Sequence, residues 1–167
     1  IVLGYVNMEI VKIGMADLNV VKSPGILTTL GLGSFVGIAL YDKNSNVAGL
    51  AHIMLPSSKE IKNNSNTAKF ADTGIELLLK KMLELGANKR SIVAKIAGGA
   101  QMFSFNSTND ILKIGERNVK ATKEKLKELN IPILAEDTGG NYGRTIELNS
   151  EDGSLLIKTI GHGIKTI

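Results

Sequence analysis

The chain has 167 residues, 43% of them hydrophobic and 22% charged, with a formal net charge of +4 and no cysteine. That length is enough for one domain with a packed core, no apolar run approaches the roughly 20 residues of a membrane-spanning helix, and the missing cysteines exclude a disulfide framework. Aromatic residues are only 4%, which argues against base stacking. The lysines of 120–127 alternate with Glu124 and Glu128, which reads as a solvated helix face rather than a nucleic-acid patch. A cytoplasmic location is the default expectation. Residues 1–7 are apolar but too short for a signal sequence with its flanks, and Met8 is a candidate initiator, which would make them an extension.

In chain order, Glu9–Ile13 and Asp17–Lys22 alternate as short strands, and Ser23-Pro24-Gly25 is a turn. Residues 26–34 read as a glycine loop. Residues 35–41 and 47–54 are apolar on both faces and flank a polar turn, Asp42 to Asn46, so they form a hairpin in a covered sheet. Residues 56–67 are polar and read as a surface loop, a lid or contact surface. The pattern Ile75, Leu78, Leu79, Met82 predicts a helix over 70–85, with Thr73 and Glu76 at capping-box spacing and Gly86 as its stop. Residues 91–96 form a strand, and 100–105 an apolar loop holding Met102, Phe103 and Phe105. A second helix spans 114–129, with Gly115, Val119, Thr122, Leu126 and Leu129 on one face. A strand over 131–135, a glycine turn over 137–144, and a hairpin of 144–148 with 155–160 follow. Residues 161–167 read as a tail holding His162. One domain over 8–160 is expected. Strands outnumber helices and come partly as hairpins, so the expected fold is a single α/β domain, a mixed-sheet layered sandwich with two long helices.

The glycine loop matches no common motif. Gly31-Leu32-Gly33-Ser34-Phe35-Val36 places valine where a dinucleotide fingerprint needs its third glycine, and a strand follows it, not a helix. There is no Gly-Lys-Ser/Thr of a P-loop and no G-x-S-x-G elbow. Two histidines 110 positions apart and no cysteine make no metal-ligand cluster, and no cofactor motif is present. On their own, these glycines are most simply read as turn formers.

Hairpin arithmetic adds a constraint. A turn centred between Lys43 and Asn44 pairs Phe35 with His52, and a turn centred on Asn44 moves the partner by one. Either register brings the two residues together, with Cα atoms roughly 4.5–7 Å apart. A nucleophile at 35 with His52 as base, and the loop amides around Gly33 and Ser34 as an oxyanion site, would suit such a pair. Position 35, however, is phenylalanine. On the residues alone, His52 is more simply read as a satisfied core histidine.

Leu-Gly-Leu-Gly-Ser-Phe-Val at 30–36 and Gly-Leu-Ala-His-Ile-Met-Leu-Pro at 49–56 resemble the CheD chemoreceptor glutamine deamidases, whose loop reads G-L-G-S-C-V and whose later strand reads A-H-x-M-L-P. The resemblance continues in Lys69-Phe70-Ala71-Asp72, Gly98-Gly99-Ala100-Gln101-Met102-Phe103, Ile114-Gly115-Glu116-Arg117-Asn118 and Asp137-Thr138-Gly139-Gly140-Asn141-Tyr142-Gly143-Arg144, and covers about residues 8–160. It implies an αββα-type sandwich, deamidation of receptor glutamines to glutamates, methyl-accepting chemoreceptors as substrates, and a CheC-type response-regulator phosphatase as partner. Carried over residue by residue, it places the nucleophilic cysteine at Phe35, the activating histidine at His52 and the supporting threonine at Thr29, beside Thr28. It also suggests Phe103 as a partner contact, for which ordinary core is the alternative. Arg117, Asn118 and Arg144 read as structural hydrogen-bonders, and His162 as a surface residue.

The departure lies at the nucleophile. A phenyl ring has no lone pair, and in well-studied triads loss of the nucleophile costs on the order of 10⁶ in rate. Ser34 is a poor substitute, since the next residue along a strand points to the opposite face. Thr29 is no better. Three readings stay open at this stage: a deamidase-family protein impaired at position 35, a non-catalytic module that docks on chemoreceptors or a CheC-type phosphatase, and an α/β domain of unrelated role. Whether Phe35 is natural or engineered also stays open.

Overall fold

The computed structural model describes residues 8–102 and 113–167, so Phe103 lies outside the described residues. The two alternating segments near the start form β1 (Glu9–Ile13) and β2 (Asp17–Lys22). Residues 26–34, expected as a loop, are mostly strand: β3 spans Gly25–Leu32, parallel to β1, with Ile13 opposite Thr29. Its inward residues Leu27, Thr29 and Leu32 are buried, so packing of an apolar-rich stretch outweighs the turn signal of its two glycines. The register slips between Thr29 and Leu32 as β3 pairs with the strand Arg144–Asn149, which leaves a bulge holding Gly31 at φ 72°.

Strands β4 (Val36–Asp42) and β5 (Val47–Ile53) form the expected hairpin, and every residue of both is buried. Its register differs from expectation. Gly37 lies opposite His52 and Val36 opposite Ile53, so Phe35 stands diagonal to His52. The cause is the Asp42 carboxylate, which accepts from the Asn44 amide (3.0 Å) and the Ser45 hydroxyl (2.7 Å) and moves the turn centre on by one. The same carboxylate accepts from the Asn88 amide and the Ser91 hydroxyl. Burial pushes its pKa up, but these four bonds outweigh that and hold it below the usual value.

Helix α1 spans Ala71–Glu84, and Ile75, Leu78, Leu79 and Met82 form its buried face. Burying each contributes about 1.5–3 kcal/mol. The expected capping box is not formed: Phe70 holds the N-cap position, and Thr73, two residues inside the helix, donates to the Thr67 carbonyl (2.7 Å). The rest of the chain gives β6 (Ile92–Gly98), α2 (Ile114–Glu128), β7 (Ile133–Thr138), β8 (Arg144–Asn149), β9 (Leu155–Thr159) and β10 (Gly163–Thr166). Residues 161–167, expected as a tail, thus add a strand that pairs with β9, with Ile164 opposite Lys158.

Two mixed five-stranded sheets result, ordered β1-β3-β8-β9-β10 and β2-β5-β4-β6-β7. Their facing surfaces enclose one core, built from Leu27, Leu32, Leu50, Ile146, Leu148 and Ile157 among others. The second core lies between the β2-β5-β4-β6-β7 sheet and both helices. The protein is the mixed-sheet sandwich with two long helices that the sequence suggests. Among the described residues its layers run helices, sheet, sheet, whereas the αββα form has helices on both outer faces.

Candidate active site

Alternation along the strands decides which side chains enter the layer between the sheets. On β5, Ala48 and Leu50 face the opposite sheet, and His52 shares their parity. On β3, Leu27 and Thr29 do the same from the other side. His52 and Thr29 therefore meet across the two sheets, 0% and 1% exposed, with Thr29 Oγ1 2.7 Å from His52 Nδ1.

The hydrogen bonds fix the tautomer. Thr29 Oγ1 also donates to the Ile13 carbonyl at 2.7 Å, which can only accept. A hydroxyl has one proton, so Thr29 accepts from His52, and Nδ1 carries the ring proton. Nε2 is then left with its lone pair, and no hydrogen-bond partner meets it among the described residues. Burial pushes the His52 pKa from 6.5 down to about 4, so the ring is neutral at ordinary pH. The Phe35 ring stands edge-on to this imidazole, with centroids 5.6 Å apart and planes at 61°. Sequence reasoning paired these two residues by register. They meet instead as diagonal neighbours on one face of the sheet.

The loop before β4 is held from behind. Gly99 donates from its amide to the Phe35 carbonyl (2.9 Å) and Ala100 to the Gly33 carbonyl (2.8 Å). Gly98, at φ 108°, allows this approach: a Cβ there would lie 2.3 Å from the Phe35 oxygen. The Gly33 amide, named with Ser34 as an oxyanion donor, is engaged by the Gly31 carbonyl at 3.1 Å. The Ser34 and Phe35 amides donate to no acceptor among the described residues.

Further polar residues lie around this region. Asn118 is wholly buried, and its Nδ2 donates to the carbonyls of Ser34 and Met54 at 3.0 Å each. Arg144, 2% exposed, donates from Nε to Asp137 (3.1 Å), and its guanidinium lies 4.6 Å from the centre of the Tyr142 ring. Burial pushes the Asp137 carboxyl up, but hydrogen bonds from Lys165 and Arg144 hold it below its ordinary value. His162 stacks on the other aromatic partner, Tyr142, at 4.1 Å. Arg117 forms an exposed ion pair with Glu60 (2.8 Å) and takes no part in the site. The linking role of Asn118 was missed in the sequence. The signal available was its spacing three residues after Gly115 and four before Thr122, which puts a carboxamide on the buried face of α2.

A neutral imidazole with one nitrogen anchored and the other free can accept a proton from a hydroxyl or thiol at the neighbouring position. The side chain beside this imidazole, at position 35, is a phenyl ring, which has no proton to give it.

Comparison with known proteins is specific. A family model described as CheD chemotactic sensory transduction matches residues 54–159. A probable chemoreceptor glutamine deamidase CheD of Caldanaerobacter subterraneus is 67% identical over 95% of this chain and 98% of its own length. One of Lachnoclostridium phytofermentans is 64% identical over 95% and 99%, and the chemoreceptor glutamine deamidase CheD of Halalkalibacterium halodurans is 58% identical over 95% and 99%. The chain belongs to the CheD family. A solved structure, Neisseria meningitidis protein NMB0706, has a TM-score of 0.49 at 7% identity over 80% of this chain and 65% of that chain, too loose a likeness to carry an argument.

Proposed function

We propose that this chain carries a glutamine deamidase scaffold for chemoreceptors in which the base is assembled and the nucleophile is missing. It would engage receptor segments in the cytoplasm without converting their glutamines at a useful rate. The observation that carries this reading is the Thr29–His52 pair, with Nε2 unpartnered among the described residues and the imidazole 5.6 Å, centre to centre, from the Phe35 ring. In the complete centre, a thiol at 35 passes its proton to Nε2 and attacks the carboxamide carbon. The amides at 34 and 35, which meet no acceptor among the described residues, are donors for the developing oxyanion. Ammonia leaves with the proton returned by the imidazolium, and water hydrolyses the thioester to glutamate.

Replacement of Phe35 by cysteine tests this directly. F35C should release ammonia from a receptor fragment rich in glutamine, the native chain and the F35C/H52Q double variant should not. Ammonia from the native chain at a rate near that of F35C would refute the missing nucleophile. A folded F35C chain with a reactive thiol and no ammonia release would refute the deamidase reading. The second reading, a non-catalytic module for a CheC-type phosphatase, is favoured by the Phe35 ring itself, which covers the imidazole with apolar surface. It predicts phosphatase binding that is the same for the native and F35C chains.

A further inference from the structure

The side chains at 35 and 52 sit on different strands, and something must set how closely they approach. We propose that Asn118 is a positioning residue: its carboxamide ties the loop bearing position 35 to the strand end bearing His52, and so sets the spacing between them. The catalytic meaning of that spacing rests on the deamidase reading above. The tie itself does not.

Both hydrogen bonds come from one atom. Asn118 Nδ2 donates to the Ser34 carbonyl, next to Phe35, and to the Met54 carbonyl, two residues beyond His52. The loop is also gripped on either side of that contact, by the Ala100 amide on Gly33 and the Gly99 amide on Phe35. Three consecutive carbonyls, at 33, 34 and 35, are thus bound in turn. In a trans peptide the N–H of the next residue points opposite to the carbonyl. Holding the carbonyls of 33 and 34 therefore turns the amides of Ser34 and Phe35 away from these donors. Of the three donors, Asn118 is the one that also reaches the strand of His52.

The helix is built to approach this closely. A Cβ at Gly115 would lie 2.4 Å from the Ala100 carbonyl oxygen and 2.6 Å from that of Gly99, so only glycine lets α2 press on this segment. Asn118 follows one turn later on the same buried face, with Thr122 and Leu126 beyond it. Packing alone does not account for asparagine here. Its Oδ1 is buried with no partner among the described residues, whereas leucine has the same branched outline of heavy atoms and no polar atom to desolvate. The donor pair is what leucine lacks.

The test uses three substitutions: N118L removes both donors, N118D replaces the donor by an acceptor, and T122V is a control on the same buried face. The first reading is the His52 titration, followed by the NMR shift of its ring proton in the Phe35 chain and assigned against H52Q. With the tie intact the midpoint should lie at about 4, where burial pushes it. In N118L and N118D it should rise by about one unit or more as water reaches the ring, while T122V leaves it in place. The second reading uses F35C chains. A thiol paired with His52 should alkylate with a midpoint below about 8.5, the value of a free cysteine. N118L should return that midpoint toward the free value and cut kcat for ammonia release by about 100-fold, with KM little changed. A merely structural residue would lower the melting temperature without moving either midpoint. Should N118L or N118D not fold, N118S, which keeps one short donor, takes their place. Folded Asn118 variants with both midpoints unchanged would overturn the proposal. A thiol at 35 that titrates like free cysteine, with Asn118 intact, would instead refute the deamidase reading, and the His52 titration alone would then decide the role of Asn118.

Discussion

Mild acid should weaken this fold through His52. The residue is wholly buried, and burial lowers its pKa from 6.5 to about 4. The unfolded chain therefore takes up a proton near pH 6.5, while the folded chain does so only near pH 4. Between these values the unfolded state holds more bound protons, so stability falls as pH falls, by up to about 1.4 kcal/mol per pH unit. The full penalty is absent above pH 6.5 and complete below about pH 4, where it amounts to about 3 kcal/mol. That is a large share of the 5–15 kcal/mol by which domains are usually stable, about a fifth to three fifths of it. Asp42 and Asp137 have carboxyls held below their ordinary values, so their contributions are lost only at more acid pH. Urea unfolding at closely spaced pH values, at constant ionic strength, checks this in the native chain and in His52→Gln. The native chain should lose about 3 kcal/mol across the window. The variant, whose side chain does not titrate, should lack that component. Equal pH slopes for the two chains, or a His52 ring proton titrating at or above 6.5, would refute the reasoning.

Other substitutions separate the remaining contributions. Thr29→Val strips the Ile13 carbonyl of its donor and the His52 ring N–H of its acceptor, and should cost about 1–3 kcal/mol per stranded group by denaturant titration. Gly98→Ala, at φ 108° with its new Cβ 2.3 Å from the Phe35 carbonyl oxygen, should cost about 3 kcal/mol or more and lower the yield of folded protein. Gly31→Ala, also at positive φ but facing open space, should cost about 1–2 kcal/mol, and similar losses at the two sites would contradict the steric account. Asp42→Asn keeps the shape but makes its amide nitrogen face donors, and should cost about 2–3 kcal/mol in thermal unfolding.

Several parts of the molecule were legible because they are local. The α1 face of Ile75, Leu78, Leu79 and Met82 is a helical period, and the hairpin around Asp42–Asn46 is two apolar runs and a polar turn. Other parts were misread for a local reason too. Glycines at 31 and 33 suggested a loop where β1 and β8 hold a strand, and no pattern inside 161–167 announced β10. The hairpin register missed because a side chain, Asp42, reshaped the turn.

By itself, the sequence determined the helices and central strands, the family, and the phenylalanine at position 35. Each is carried by neighbours along the chain or by the chain's residues in order. Only the tertiary structure decided that Thr29 meets His52, that the imidazole nitrogen without a partner among the described residues is Nε2, and that Asn118 joins Ser34 to Met54. These contacts link residues 23, 84 and 64 positions apart on separate strands and a helix. Their geometry follows from which apolar faces pack together, and no periodicity within one segment encodes that.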